Sequence, residues 1–414
     1  MRQTKIICTI GPACNNKETI LKMIDAGMDV ARFNMSHGDY GELEKTFATV
    51  KEAIAESGKN VALLLDTKGP EVRIGHIDGG KTEIVEGQDF TFFRDEVVGN
   101  NEGVSISYPK LIKKLMKYNK AKGLKLLLDD GKIAMQVKKV LEDRIVCKVL
   151  VGGELGSRKS INIPDYNIDM PYVSKKDRED IDFGIKMGIN VIAASFVRNG
   201  DDVRTLRDYV ESIGGEHIGI ISKIECQSGV DDIDEILDES DGIMVARGDM
   251  GVEIPIEKVP IIQKKIIRKC NESGKIVITA TQMLDSMIRN SLPTRAEACD
   301  ICNAIFDGTD AIMLSGESAS GQYPIEAAKT MSKIAKETEL HLDYNYLNQC
   351  LKEPAMYDFA EAISYSTCRT SNVLNAKAIV AATNSGSTAK LVSKYKPKCP
   401  IVAITPHEEV LRGL

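Results

Sequence analysis

The sequence predicts an α/β fold: a (β/α)8 TIM barrel with an inserted β-rich lid domain, followed by a C-terminal α/β domain that reads as truncated. Three observations carry this expectation. Short runs of Ile, Val, Leu and Ala alternate with stretches of helical spacing, and eight such pairs can be counted outside the insertion. The alternation stops after Pro70 and resumes after Met170; between them Gly, Val and Thr dominate, with period-two runs such as Ile133, Met135 and Val137. Several apolar runs also break off into charge at their C-terminal ends, where parallel α/β folds place ligands. A doubly wound sheet would usually carry a phosphate-loop signature, and neither a Walker A motif nor G-x-G-x-x-G is present.

The elements follow in order. Strands are expected at Lys5 to Ile10, Asp29 to Asn34 and Val61 to Leu65, with helices at Lys17 to Ala26 and Tyr40 to Ser57 that stop at Gly27 and Gly58. The insertion carries one short helix, Lys110 to Tyr118, and turn pairs such as Asp130-Gly131. Strands then fall at Val191 to Ser195, Ile218 to Ile221, Gly242 to Val245, Val277 to Ala280 and Ala311 to Leu314. The helices between and after them are Lys176 to Met187, Asp201 to Ile213, Asp231 to Leu237, Lys258 to Asn271, Thr294 to Phe306 and Pro324 to Thr338. The expected units are residues 1–69 with 171–343 for the barrel, 70–170 for the lid and 344–414 for the C-terminal domain. That last unit offers a helix around Ala355 to Asn372, strands at Ala378 to Ala382 and Ile401 to Ile404, and a helix ending near Tyr395. Two strands make a thin sheet, so a truncated piece and a naturally short chain are both open readings.

Composition narrows the function. At 414 residues and 43% hydrophobic the chain can bury a large core. A net charge of -6 leaves no global basic field for nucleic acid. No apolar run reaches the length of a membrane span, and the N-terminus turns polar too soon for a signal peptide. Ten scattered cysteines are too sparse for a disulfide framework and suit reduced thiols, hence a cytoplasmic protein. Cys299 and Cys302 form a C-x-x-C inside a helical pattern, expected as two small buried residues. The five histidines do not cluster.

A barrel gathers its strand ends on one rim, so they can be read together. The second strand delivers Arg32, Asn34 and Ser36 onto one face, and the third Asp66 and Thr67, then Lys68 and Arg73. The fourth offers Ser195, and the fifth Lys223 and Glu225, which share a face because they are two apart. The sixth brings Arg247, Gly248 and Asp249, the seventh Thr279 and Thr281, the eighth Glu317. Singly, each could be a cap, a turn or a solvated strand end. Together they unite cations, a Glu/Asp pair able to hold Mg²⁺ against a phosphate, and oxygens (Asn34, Ser36, Asp66, Thr67) able to cage a monovalent cation. That inventory suits phosphoryl transfer, which asks for cations, a divalent metal and alignment.

The segments A-R-F-N-M-S-H-G, L-D-T-K-G-P-E-V-R, I-S-K-I-E, M-V-A-R-G-D-M-G-V-E, T-A-T-Q-M-L-D-S-M and P-T-R-A-E-A-C-D-I-C-N-A-I-F-D-G-T-D-A-I-M-L-S-G-E-S closely resemble pyruvate kinase, in order and over essentially the whole chain. The resemblance implies Mg²⁺- and K⁺-dependent phosphoryl transfer from phosphoenolpyruvate to ADP, giving pyruvate and ATP. It implies Lys223 on the transferring phosphoryl group, Glu225 and Asp249 on Mg²⁺ (or Mn²⁺), and Gly248, Asp249 and Thr281 at the substrate, with Thr281 tied to protonation of the enolpyruvate. Arg32 and Arg73 would hold phosphate oxygens; Arg73, Lys159 and Asn34 would serve the nucleotide. Asn34, Ser36, Asp66 and Thr67 match the family's K⁺ site, and Glu71 matches its K⁺-requiring members. Thr383, Ser385, Gly386, Ser387 and Thr388 resemble the loop that binds a phosphorylated allosteric effector, where a plain helix-capping turn is the rival reading. A homotetramer is the family's usual assembly. The departures are Met35 where Phe is usual, Cys226-Gln227-Ser228 after Glu225, and Ile74 at a position that commonly carries a hydroxyl. A metal-dependent barrel lyase or aldolase acting on pyruvate enolates is the alternative, and a catalytically inactive scaffold a third reading.

Overall fold

Side chains two apart along a strand share a face, so each strand of a closed barrel sends alternate residues inward. The computed structural model describes residues 2–36, 39–164, 166–344, 358–407 and 410–411. Its eight parallel barrel strands are β1 Lys5–Thr9, β2 Val30–Asn34, β3 Ala62–Asp66, β4 Val191–Ala194, β5 Gly219–Ile224, β6 Gly242–Ala246, β7 Ile276–Ala280 and β8 Ala311–Leu314. Each pairs with its neighbours in sequence, and β1 closes on β8 with Lys5 opposite Ala311. Ile7, Leu64, Ala193, Ile221, Met244, Ile278 and Met313 fill the interior as one apolar cluster. Their neighbours, among them Ile6, Cys8, Leu65, Ile192, Ile220 and Val277, face outward into a larger core beneath the helices.

The helical layer consists of α1 Lys17–Ala26, α2 Tyr40–Ser57, α3 Lys175–Lys186, α4 Gly200–Ser212, α5 Ile233–Glu239, α6 Val259–Ser273, α7 Arg295–Phe306 and α8 Pro324–Leu340. Their starts are written in the sequence. Asn16, Asp39, Ser174, Asn199 and Thr294 cap α1, α2, α3, α4 and α7, the third and the last as full capping boxes with Asp177 and Glu297. The helix expected from Asp231 to Leu237 is two pieces, Gln227–Asp231 and α5. The fifth strand runs past its expected end at Ile221 as far as Ile224, with Lys223 paired to Met244 and Ile224 to Val245. Charge does not end this strand, because Lys223 points into a mouth lined with partners.

Between β3 and α3 lies the β-rich insertion, with its own core from Val72 to Ile163. Its main sheet has seven strands, and its helix spans Lys110–Lys117. After α8 comes a small unit: helix Phe359–Val373, the parallel strand pair Ile379–Ala382 and Ile401–Ile404, and helix Ser387–Lys394. The start of the expected helix, residues 355–357, lies outside the described residues. Cys299 is exposed and Cys302 half-buried, which corrects the expectation of two buried thiols. Among the described residues no helix is long and apolar enough to cross a membrane.

Candidate active site

The inward face of the barrel turns from apolar to polar within one step of its C-terminal rim. Two residues beyond Ile7, Val30, Leu64, Ala193 and Ile221 stand Thr9, Arg32, Asp66, Ser195 and Lys223, and two further along are Asn34 and Glu225. Register sets them at one level: Thr9 lies opposite Arg32, Asn34 opposite Asp66, and Asp66 opposite Ala193.

Asp66 is the centre of this rim. Its Oδ2 accepts from Arg32 Nε at 2.7 Å, and its Oδ1 from Lys223 Nζ at 3.0 Å. Burial alone would raise the Asp66 carboxyl; Arg32 and Lys223 outweigh it and hold the group below its ordinary value. Arg32 also donates to Thr9 Oγ1 at 2.7 Å. Lys223 Nζ donates to Ser195 Oγ at 2.7 Å and lies 2.9 Å from Glu225 Oε1. Burial works against the Lys223 ammonium, but Asp66, Glu225 and Asp249 together raise it above the usual lysine range. Glu225 shows the opposite balance. Burial pushes its carboxyl up to about 8, and Asp249 adds to the rise while Lys223 opposes it. The Phe196 amide donates to Glu225 Oε2 at 2.6 Å.

On the far side of the mouth, Gly248 N donates to Thr281 Oγ1 at 2.7 Å, and that hydroxyl donates to Ala280 O at 2.6 Å. Thr281 and Gln282 sit at φ +68° and +54°, a backbone region costly for a β-branched residue and concentrated at functional sites. Arg247, counted among the rim cations, is a strut: it donates to Thr281 O at 2.6 Å and to Asp300 Oδ2 at 2.6 Å. Thr279 is buried against Thr309, and Glu317 ties two loops together, accepting from the amide of Leu284 after the seventh strand and from that of Ser315 in its own.

The comparisons decide the family. A model described as pyruvate kinase, barrel domain, matches residues 1–328, and one described as pyruvate kinase, alpha/beta domain, matches residues 361–414. The chain belongs to the pyruvate kinase family. It is therefore a phosphotransferase. It is 54% identical to a pyruvate kinase of Clostridium perfringens, with 100% of this chain and 87% of that one covered. With the pyruvate kinase of Geobacillus stearothermophilus the identity is 50%, over 100% of this chain and 70% of the relative. A solved pyruvate kinase from Cryptosporidium parvum superposes with a TM-score of 0.92 at 44% identity, covering 100% of this chain and 85% of that one.

The remaining pyruvate kinase positions fall in three places. Asn34 Oδ1 accepts from Ser36 N at 3.0 Å, and Thr67 N donates to Ala193 O at 3.0 Å, so these oxygen-bearing residues flank Asp66. Arg73 and Lys159 stand on the lid. Arg73 Nε donates to Glu71 Oε2 at 2.7 Å and its Nη1 to Arg158 O at 3.1 Å, while Lys159 Nζ pairs with Asp129 Oδ1 at 2.7 Å. The C-terminal loop is separate from both. Thr383 Oγ1 accepts from Gly386 N at 2.9 Å, Ser385 Oγ donates to Ser387 Oγ at 3.1 Å, and Gly386 at φ +85° starts the helix; Thr388 lies in its first turn.

Sequence reasoning missed Asp129 and Phe196. Asp129 lies in an Asp-Asp-Gly turn that reads only as a turn, and a backbone amide leaves no signature in side-chain chemistry.

Proposed function

We propose that the protein transfers the phosphoryl group of phosphoenolpyruvate to ADP, giving pyruvate and ATP, with its units divided near residues 69/70, 170/171 and 343/344. The observation that carries this is Lys223: a buried ammonium at the mouth of the barrel, held by Asp66, Ser195 and Glu225 at 3.0, 2.7 and 2.9 Å. A cation so fixed needs little reorganisation when charge develops on a migrating phosphoryl group and on the enolate oxygen it leaves. In the reaction the P–O bond to the enol breaks, a P–O bond to the β-phosphate of ADP forms, and the enolate takes a proton on carbon. Arg32 and Arg73 grip phosphate oxygens. Lys159 and Asn34 serve the nucleotide, and Thr281 belongs to the path of the final proton.

The donor set fits a divalent cation. Glu225 Oε1 is buried with the Lys223 ammonium 2.9 Å away, and the Asp249 carboxylate, whose charge reaches Glu225, has no hydrogen-bond or ion-pair partner among the described residues. Two carboxylates, with the other positions left to water and phosphate, suit Mg²⁺ or Mn²⁺. When bound there, such an ion supplies Lewis-acid charge to the substrate oxygens. The oxygens of Asn34, Ser36, Asp66 and Thr67 are the proposed K⁺ set, although Asp66 already serves two cations. Gly248 and Asp249, near the start of the short helix Arg247–Glu253, face the substrate carboxylate. The lid, whose Asn162 donates to Glu253 Oε1 of that helix at 2.8 Å, excludes water as an acceptor. A cytoplasmic homotetramer, with a phosphorylated effector at Thr383, Ser385, Gly386, Ser387 and Thr388, completes the reading.

The test is pyruvate release from phosphoenolpyruvate in the presence of Mg²⁺ and K⁺. Release should require ADP and yield ATP in equal amount. Release that proceeds without ADP would overturn the assignment in favour of an enolate lyase.

A further inference from the structure

The sequence singles out Ser195 at the end of the fourth strand, and the proposed reaction gives it only a contact with Lys223. Its surroundings give it one. Ser195 is 2% exposed, and its hydroxyl accepts from Lys223 Nζ at 2.7 Å. That hydroxyl has one proton to give, with Thr67 O at 2.6 Å and Asp66 Oδ1 at 3.1 Å as its acceptors. The next peptide bond is engaged at both ends. Its carbonyl, Ser195 O, accepts from Tyr172 Oη at 3.0 Å; its amide, Phe196 N, donates to Glu225 Oε2 at 2.6 Å. Phe196 sits at φ +55°, strained for an aromatic residue, so the surroundings must hold this peptide in place.

The opposite side of the same loop meets both connectors of the lid. Gly69 stands at the first connector, at φ +70°, and a Cβ there would lie 2.7 Å from Ser195 O. Arg198 Nη1 and Nη2 donate to Ile168 O at 2.8 Å and Met170 O at 3.0 Å in the second connector, with Asp202 fixing the guanidinium. Asp177 joins the two connectors, accepting from Gly69 N at 3.0 Å and from Ser174 Oγ at 2.6 Å. A shift of either connector therefore bears on the peptide that orients Glu225 and on the hydroxyl that orients Lys223.

We propose that the loop from Ser195 to Arg198 is the coupling element of this enzyme, with Tyr172 and Ser195 as positioning residues that transmit the lid's attachment to Glu225 and Lys223. The inference rests on the proposed roles of those two side chains. It explains why a tyrosine hydroxyl is buried in the second connector: it holds the carbonyl of a peptide whose amide steadies a carboxylate. Rotation of that peptide would break both contacts at once.

The experiment replaces Tyr172 by Phe, removing one oxygen from a packed ring. Mn²⁺ is titrated into the substrate-free protein and the free ion followed by electron paramagnetic resonance; kcat and the KM values are measured separately. Tyr172→Phe releases the peptide whose amide is the outer partner of Glu225 and should weaken Mn²⁺ binding about tenfold, the low end of what loss of such a partner costs. It should also lower kcat more than it changes KM for phosphoenolpyruvate, with Tm nearly unchanged. Mn²⁺ affinity and kcat both within about twofold of the unaltered protein, against that tenfold expectation, would overturn the coupling. If Tyr172→Phe does not fold, Gly69→Ala presses on the same carbonyl from the other connector and carries the same expectation for Mn²⁺ binding and kcat, with a lower Tm from the strained position. Glu225→Gln separates the two ideas. Undiminished Mn²⁺ binding in that variant defeats the metal assignment itself, whereas loss there with none in Tyr172→Phe defeats only the coupling.

Discussion

The mouth of the barrel and the lid above it both present cations, and they hold them in opposite ways. At the mouth, Lys223 and Arg32 are about nine-tenths buried and share one carboxylate, Asp66, that is itself 2% exposed. On the lid, Lys159 is 42% exposed and Arg73 28%, with Asp129 and Glu71 as their carboxylate partners. The first set is fixed when the chain folds, so its charge is in position before any substrate arrives. Under the proposed function the second set would exchange its partners for a phosphate as the lid closes, and the ordering cost would then fall on nucleotide binding. The contrast teaches that one site can combine a preorganised half with a delivered half, and substitutions should separate them.

The largest effect belongs to the fixed half. Lys223→Met should lower kcat for pyruvate formation by about 10³-fold or more while Mg²⁺ still binds, because a preorganised charge is lost where the reaction develops one. A coupled assay with a parallel metal titration reads both; near-normal turnover would break the comparison at its centre. Asp66→Asn comes next, and its readout is stability. It leaves two buried cations without their shared anion, a change that commonly costs about 3–5 kcal/mol. Denaturant unfolding should show that loss, and a change below about 1 kcal/mol would place Asp66 among ordinary surface pairs.

The delivered half should respond more mildly and in a different parameter. Lys159→Met should raise KM for ADP about tenfold, the size of one charge-assisted contact to a phosphate, and leave KM for phosphoenolpyruvate nearly unchanged. Equal changes in both would mean that Lys159 acts on the whole site rather than on the nucleotide.

The barrel and the mouth were legible because two periodicities agree. Period two along each strand carries the inward face from Ile221 to Lys223 to Glu225, and the barrel brings those steps to one level. The capping boxes at Ser174 and Thr294 went unread, although each places its acidic partner three residues on. What stayed hidden depends on partners distant in sequence. Arg247 was counted with the rim cations, yet it holds a loop 34 residues away. Cys299 lies in a helical pattern whose packed face carries Ile301, Ala304 and Ile305, and a small residue beside that face reads the same whether buried or exposed. The left-handed turns at Phe196 and Thr281 have no residue preference to announce them, since neither is Gly or Asn.

The smallest effect sharpens the comparison through pH. Asp129 is the lid's counterpart of Asp66. Burial raises its carboxyl, but Lys159 and then Lys132 outweigh that and lower it below the ordinary 3.8. A carboxyl lowered by folding stabilises the folded state above the unfolded value, and that contribution disappears as pH falls through the folded value. Asp129→Asn removes it. Since Lys159 and Lys132 are exposed, the loss near pH 7 should be well under about 1 kcal/mol, several times smaller than for Asp66→Asn. Below the ordinary carboxylate value the unaltered protein should fall toward the variant until their Tm values meet. A difference that stays constant from neutral to acidic pH would show that Asp129 acts through its shape in the turn, where φ is +50°, and that the lid's ion pair contributes nothing measurable.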